Sequence, residues 1–223
     1  MEPRLTGINE REALLYLGYR GGEIPAGIRT DLDRCRDTIL KTARPRAVWR
    51  EFPLNPDGSL EGTAFRPEGN DVRELLRQCH HVILFGATLG AEVETLLRRA
   101  QVQNMADAVM LDCCASAAIE NVCDNLCADL QEELEGYLTD RFSPGYGDLP
   151  FSQQPEFCRV LDLHRRIGVA LSPGGLMIPQ KSVTALMGRS DWPQTRRFRG
   201  CAVCSRFETC ELRKRGDACG QAE

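Results

Sequence analysis

The chain has 223 residues, of which 42 % are hydrophobic and 27 % charged, a balance typical of a folded globular protein. The formal net charge of −4 argues against a general nucleic-acid binder, because such proteins are basic overall. No apolar run approaches the ~20 residues that cross a bilayer, and the N-terminus lacks the apolar core of a signal peptide. We therefore expect a cytoplasmic protein with no membrane or nucleic-acid partner.

The first third of the chain predicts two helices and a hairpin. Asn9 followed by Glu12 forms a capping box that opens a helix, and Thr30 is expected to cap the second helix. The segments 46–54 and 60–65 flank an Asn-Pro-Asp-Gly turn. Turn residues between two such segments predict a β-hairpin.

The middle of the chain predicts one buried strand and long helices. The apolar run Val82–Phe85 ends at a glycine and fits a buried strand. The stretch 105–138 has no proline and one glycine, which predicts one long helix or two close ones with an unusually small-sided middle. Segment 152–167 predicts an amphipathic helix with His164 on its apolar face.

The composition changes at Arg189 to arginine and cysteine with few aliphatic residues. We therefore predict a folded domain at residues 1–188 and a short Cys-rich tail at 189–223. Early strands, then long helices, then late strands lack the regular alternation of a doubly wound parallel sheet. The pattern predicts an α+β fold, with a mainly antiparallel sheet packed against long helices.

The segment Arg141-Phe142-Ser143-Pro144-Gly145-Tyr146 is the most informative part of the sequence. Arg141 offers a fork of donors that can clamp a carboxylate, and Gly145 allows close approach of a ligand to the backbone. Tyr146 adds a ring face and a hydroxyl group. From the residues alone, two interpretations stand: a surface turn that happens to contain an arginine, or a loop that holds an amino-acid ligand.

The segment resembles the Arg-x-x-x-Gly-Tyr loop in the activation domain of cobalamin-dependent methionine synthase. The resemblance covers about residues 111–188 and is loose over the first hundred. The residues that carry it outside the loop are Asp112, Glu120 and Asp124 on the long helix, Glu135 and Tyr137 before the arginine, and Leu171, Ser172, Met177, Pro179, Ser182 and Val183 after it. Asp124 is shorter than the glutamate expected there. The N-terminal acidic residue that contacts the ligand in the family has no assigned counterpart.

The resemblance implies that the protein binds S-adenosylmethionine. Arg141 and the backbone of Ser143 and Gly145 would hold the amino-acid end, with Tyr146 close by. Asp124 and Glu135 would approach the sulfonium or order the loop, since carboxylates attract a fixed positive charge. An alternative for the carboxylates of the long helix is a solvated stripe.

The resemblance also implies a reaction, the reductive methylation of cob(II)alamin. One electron and the methyl group of S-adenosylmethionine would restore methylcobalamin, with cobalt as the nucleophile and no catalytic residue of the protein. The spacing of Asp162, His164 and Gly168 departs by one residue from the Asp-x-His-x-x-Gly motif that ligates cobalt. We therefore expect the cobalamin on a partner, either methionine synthase or a related corrinoid protein of another methyl-transfer pathway, and a separate electron donor.

Four of the eleven cysteines lie in the tail, in the spacing Cys-x2-Cys-x5-Cys-x8-Cys. They are Cys201, Cys204, Cys210 and Cys219. Such spacing in a reducing compartment predicts zinc or an iron–sulfur cluster, and the spacing does not choose between them. A basic tail with reactive thiols is the alternative. Two other functions stay open from the sequence: an iron–sulfur electron-transfer protein, or a regulatory docking protein for a corrinoid methyltransferase.

Overall fold

The computed structural model describes residues 3–19, 23–194 and Lys214. The helices are α1 Glu10–Tyr16, α2 Ala26–Thr42, α3 Asn70–Leu76, α4 Ala91–Gln103, α5 Met105–Glu133, α6 Gln154–Leu161 and α7 Leu163–Ile167. The strands are β1 Arg46–Pro53, β2 His81–Thr88, β3 Tyr137–Leu138, β4 Ala170–Leu171, β5 Met177–Ile178 and β6 Ser182–Ser190. A 3₁₀ turn at Phe151–Gln153 precedes α6.

Four strands form an antiparallel sheet in the order β1–β2–β6–β3, and β4 pairs with β5 in a separate ribbon. β2 lies inside the sheet because its residues are apolar on both faces. Ile83 and Phe85 point into one core, while Val82 and Leu84 point into the other. The buried strand predicted at 82–85 is therefore confirmed, and so is the α+β fold with its antiparallel sheet.

Each face of the sheet carries a layer of helices. α1, α2, α4 and α5 contribute to the core on one face, and α3, α6 and α7 to the core on the other. α5 is a single helix of 29 residues. The middle of α5 is packed on several sides, and its fully buried residues are small: Cys114, Ala115, Ala117 and Ala118. Their small side chains let α2 and the sheet approach the helix axis.

Two local predictions in the first third of the chain are wrong. The segment 46–54 does not form a hairpin with 60–65. β1 pairs instead along its whole length with β2, and only an isolated bridge joins Leu54 to Leu60. The apolar strand β2 is the stronger partner because its pairing also completes both cores. The second helix begins at Ala26, ahead of Thr30, whose hydroxyl donates to the Ala26 carbonyl.

The predicted amphipathic helix at 152–167 is interrupted. Asp162 adopts a left-handed conformation with φ of 52°, and it separates α6 from α7. This break shifts the helical phase, so that Leu163 is buried over Gly86 and His164 is exposed to solvent. The prediction that His164 lies on the apolar face is therefore wrong.

The last strand crosses the predicted end of the domain. β6 continues to Ser190, where it pairs with Tyr137 of β3, so it extends past residue 188. The division into a domain and a tail stays a prediction, since the described part of the tail is short. Within the described ranges, no helix has both the length and the apolar character needed to cross a membrane.

Candidate functional site

The loop that follows β3, residues 141–149, is held against the sheet and closed by its own backbone; we call it the Arg141 loop. Phe142 exchanges two backbone hydrogen bonds with Leu186 of β6, both 2.9 Å long. The Tyr146 N–H donates to the Ser143 carbonyl (3.0 Å), and the Gly145 N–H donates to the Leu149 carbonyl (2.9 Å). Gly145 has a φ of 90°, a conformation that favours glycine. The conformation of the loop is therefore held by its own backbone and by β6.

Arg141 projects from this loop onto α5. Its Nη1 donates to Asp124 Oδ1 at 2.5 Å, and its Nη2 donates to Glu120. Glu120 and Asp124 lie four residues apart on α5 and so share one face of the helix. The Arg141 side chain is only 18 % exposed. Although burial lowers the pKa of its guanidinium, the charges around it, those of Glu120 and Asp124 among them, outweigh this and raise the pKa.

Helix α1 adds a third carboxylate, which the sequence did not assign to the site. Asn9 caps α1 through a bond from the Glu12 N–H to its Oδ1 (3.1 Å), as the capping box predicted. Glu12 then faces the charges of Glu120, Asp124 and Arg141. The hydroxyl of Tyr16 donates to Glu12 Oε1 at 3.1 Å. We call Glu12, Glu120, Asp124 and Arg141 the charged cluster.

The electrostatics of the charged cluster disfavour further negative charge. Burial raises the pKa of Glu12, and the charges of Glu120 and Asp124 raise it further, against the opposing bond from Tyr16 and the charge of Arg141. Burial and then the charge of Glu12 also raise the pKa of Tyr16. Three carboxylates face one guanidinium, so the cluster is net negative and suits a cationic ligand. The described residues offer no group of His, Cys, Asp or Glu arranged for a metal ion.

Two tyrosines flank the charged cluster. Tyr146 of the Arg141 loop is 67 % exposed, and Tyr16 of α1 is 49 % exposed. Partial burial, and then the charge of Glu120, raises the pKa of Tyr146. Exposed ring faces beside carboxylates can cover the apolar or cationic part of a ligand.

Of the other residues predicted from the resemblance, two lie in the Arg141 loop and one lies in the turn before β3. Ser143 and Gly145 are in the Arg141 loop, but the Gly145 N–H is already bonded to Leu149. Glu135 lies in the turn between α5 and β3, where its carbonyl accepts from Arg189 Nη1 at 3.1 Å. Its exposed carboxylate makes no hydrogen bond or ion pair within the described residues. The structure thus brings Arg141 and Asp124 together and leaves Glu135 outside the charged cluster.

Comparison with known proteins gives one informative result. No protein-family model matches the sequence, and no curated protein matches it either. Among solved structures, a crystal structure of the MetH reactivation domain bound to AdoHcy is similar. The TM-score is 0.59 at 15 % identity, over 87 % of this chain and 82 % of that one. The chain has the activation-domain fold. The fold implied by the resemblance is therefore confirmed, although the identity is low.

Within the activation-domain fold, the polar face of α5 extends beyond the charged cluster. Asp112 and Ser116 continue the face on which Glu120 and Asp124 lie, at the same four-residue spacing. Lys181 Nζ reaches both of them, at 2.9 Å from Asp112 Oδ1 and 2.8 Å from Ser116 Oγ. The face is thus bounded by Lys181 at one end and by Arg141 at the other. The four tail cysteines predicted to hold a metal lie outside the described residues.

Proposed function

We propose that the protein binds S-adenosylmethionine at the charged cluster and donates its methyl group to cobalamin carried by a partner corrinoid protein. The observation that carries the proposal is Arg141. It is a mostly buried guanidinium in a preformed loop, set among more negative charge than it can neutralise. The activation-domain fold, solved elsewhere as the MetH reactivation domain bound to AdoHcy, supports the same ligand class.

The charges of the cluster complement those of the ligand. S-adenosylmethionine carries a carboxylate, an ammonium group and a sulfonium group, so it has one positive charge in excess. Its carboxylate would bind the guanidinium of Arg141, which has five donors and uses two of them on Glu120 and Asp124. The cationic groups would then lie near Glu12, Glu120 and Asp124. The ammonium group is a donor, so it would bind carbonyl oxygens of the Arg141 loop, and the Gly145 N–H already donates to Leu149.

The chemistry requires no nucleophile from this chain. One electron from a donor reduces cob(II)alamin on the partner to cob(I)alamin. The cobalt then attacks the methyl carbon, the carbon–sulfur bond breaks with its electron pair going to sulfur, and S-adenosylhomocysteine leaves. The protein would contribute orientation of the methyl group and a negative surrounding that holds the sulfonium before transfer. Transfer removes the positive charge from the ligand, so the same carboxylates would hold the product less tightly.

The proposal is tested by a methylation assay with a corrinoid methionine synthase that lacks its own activation domain. The partner is loaded with cob(II)alamin and supplied with a reductant, methyl-labelled S-adenosylmethionine and this protein. We expect label on cobalamin, with an equal amount of S-adenosylhomocysteine, only when protein, reductant and methyl donor are all present. Tight ligand binding without methyl transfer to this or another corrinoid protein would instead indicate a regulatory binding module.

A further inference from the structure

Two aspartates fasten the Arg141 loop to the start of α3. Asp148 Oδ2 accepts from the Asn70 N–H at 2.6 Å, and Asp148 Oδ1 accepts from the Asp71 N–H at 3.1 Å. In return, Asp71 Oδ2 accepts from the Asp148 N–H at 3.2 Å. Each carboxylate thus accepts from the backbone of the other segment, although Asp71 and Asp148 are 77 positions apart in the sequence. We call this reciprocal arrangement the aspartate clasp.

The backbone on both sides of the aspartate clasp is shaped for it. Gly69 and Gly147 have φ values of 112° and 50°, in the region that favours glycine. A Cβ on Gly69 would collide with the carboxylate of Asp148, and a Cβ on Gly147 would collide with the carboxylate of Asp71. Gly145 differs, because a Cβ there would meet Phe151 only at an ordinary 3.7 Å. Tight packing in the Arg141 loop is therefore concentrated at the clasp.

A second contact ties the same two regions together. The side chain of Gln153, just after the loop, donates to the Arg66 carbonyl and accepts from the Glu68 N–H, both at 3.0 Å. Helix α3 is itself fixed, since Val72 is 1 % exposed and its neighbours Leu75 and Leu76 are buried in the same core as Leu149. The C-terminal half of the Arg141 loop is therefore fastened to a buried platform.

We infer that Asp148 and Asp71 are positioning residues for ligand binding, because they set the Arg141 loop in its binding conformation through α3. The inference rests on the proposed function, which makes this loop the ligand site. The loop is held at one end by the pairing of Phe142 with Leu186 and at the other by the clasp. Arg141 directly precedes the first anchor, and Tyr146 lies between the two. A ligand that meets an already ordered loop does not lose affinity to the entropy of ordering it.

A simpler role for Asp148 is to cap α3. Gly69 provides no side chain for this, and the N-terminal N–H groups of a helix need acceptors. If capping were its only role, removing the Asp148 carboxylate would lower the stability of α3 without changing the loop. The two roles are separated by what happens at the Gly145 and Leu149 amides, which bond within the loop and not to α3.

The test compares Asp148→Ala, Asp148→Asn, Asp71→Ala and Asp71→Asn in the full chain. Asn at 148 keeps one of two acceptor oxygens, whereas Asn at 71 keeps the single acceptor that is used. Asp57→Ala is the matched control, because Asp57 also accepts two hydrogen bonds in a turn, from the N–H and hydroxyl of Ser59, away from the Arg141 loop. Binding of S-adenosylmethionine is measured by calorimetry, and hydrogen exchange is measured without ligand.

We expect Asp148→Ala to weaken binding about ten- to a hundredfold, and Asp148→Asn to weaken it less. Asp71→Asn should bind S-adenosylmethionine as tightly as the wild type does. The affinity of Asp71→Ala should lie between those of the wild type and Asp148→Ala. In Asp148→Ala the Gly145 and Leu149 amides should exchange faster while those of α5 keep their rates. If exchange accelerates only in α3, the clasp does not position the loop. The same follows if the wild type binds S-adenosylmethionine and Asp148→Ala binds it within twofold of Asp57→Ala.

Failure of the proposed function gives a different pattern. If the wild-type protein does not bind S-adenosylmethionine, calorimetry detects no binding for any variant, and the ligand assignment is wrong. Hydrogen exchange still decides whether the clasp orders the loop, because that measurement contains no ligand. Faster amide exchange in Asp148→Ala that is confined to residues 142–149 would support the role of the clasp in ordering the loop. Exchange rates in the loop equal to those of the wild type would exclude it.

Discussion

Arg141 Nη1 and Asp124 Oδ1 lie 2.5 Å apart, although the two residues are 17 positions apart along a helix end, a turn and a strand. Asp124 is 54 % exposed and Arg141 only 18 %, so the aspartate is the partner that solvent or a ligand reaches more easily. In the proposed function, the ligand carboxylate would bind donors of Arg141 that Glu120 and Asp124 leave unused, and the exposed Asp124 would lie near the positive end of the same ligand.

The first prediction concerns the charge of the ligand. The protein should bind S-adenosylmethionine more tightly than S-adenosylhomocysteine, because only the former carries the sulfonium charge. Asp124→Asn removes one nearby negative charge, and it should reduce this preference by about fivefold, or about 1 kcal/mol. Paired calorimetric titrations measure the ratio. Glu132→Gln, an exposed carboxylate at the end of α5, serves as the control and should leave the ratio unchanged. Equal ratios in the wild type and Asp124→Asn would show that Asp124 does not face the sulfonium.

The second prediction follows from the raised pKa of Glu12, which burial and then the charges of Glu120 and Asp124 produce, against the opposing bond from Tyr16. Below pH 4.5, the usual pKa of a glutamate, Glu12 is protonated in both the folded and the unfolded chain, and it does not lower the free energy of unfolding. As the pH rises from 4.5 through the folded pKa, the unfolded chain releases its proton first and stability is lost. Glu12→Gln should therefore raise the free energy of unfolding at neutral pH and have little effect below pH 4.5.

The gain should be less than about 1 kcal/mol, because Glu12 is only partly buried and solvent screens its charge. Urea unfolding at several pH values measures it, since the amide keeps an acceptor oxygen for Tyr16. The same variant should bind S-adenosylmethionine more weakly than the wild type. A loss of stability at neutral pH would mean that Arg141 stabilises the Glu12 carboxylate by more than burial costs.

The sequence predicted those parts of the fold that depend on local patterns. The long proline-free stretch gave α5, and the short apolar run gave β2, because length and polarity are enough to decide both. The pairing of β1 was missed because the nearby turn suggested a local partner. The actual partner, β2, is more distant in sequence: even the nearest pair, Pro53 and His81, is 28 positions apart. Glu12 was missed because α1 meets α5 only through tertiary packing. Asp124 came from the resemblance. For Arg141 the residues alone left a surface turn and a ligand loop open, and the resemblance favoured the ligand loop.

The third prediction concerns the tail. Cys201, Cys204, Cys210 and Cys219 are expected to hold zinc or an iron–sulfur cluster, because thiolates at such spacing are strong ligands for both. Elemental analysis of anaerobically purified protein should find one of these metals, and Cys204→Ser should lose most of it. Cys158→Ser is the control, since Cys158 is a free, partly buried thiol on α6. Equal metal content in the two variants would exclude Cys204 as a ligand.

The fourth prediction tests the ligand site at Arg141. Arg141→Ala should weaken the binding of S-adenosylmethionine about ten- to a hundredfold, since charge-assisted bonds to a carboxylate contribute roughly 1.5–3 kcal/mol. Arg141→Ala should also weaken the binding of S-adenosylhomocysteine, because that ligand has the same carboxylate. Asp124→Asn, in contrast, should act mainly on S-adenosylmethionine, which carries the sulfonium charge. Arg141→Lys should restore only part of the affinity, because an ammonium group cannot make the bidentate contact. Calorimetry with both ligands measures these differences.

The control for Arg141→Ala is Arg159→Ala, because Arg159 also pairs with a carboxylate but lies exposed on α6, away from the charged cluster. It should leave both affinities unchanged. The thermal unfolding of Arg141→Ala needs to be followed as well, since the variant leaves Glu120 and Asp124 without their cation. A folded Arg141→Ala protein that binds both ligands as tightly as Arg159→Ala would place the ligand elsewhere. In that case the preference for the sulfonium would have to arise from carboxylates outside the charged cluster, of which Asp112 beside Lys181 is the nearest on the same face of α5.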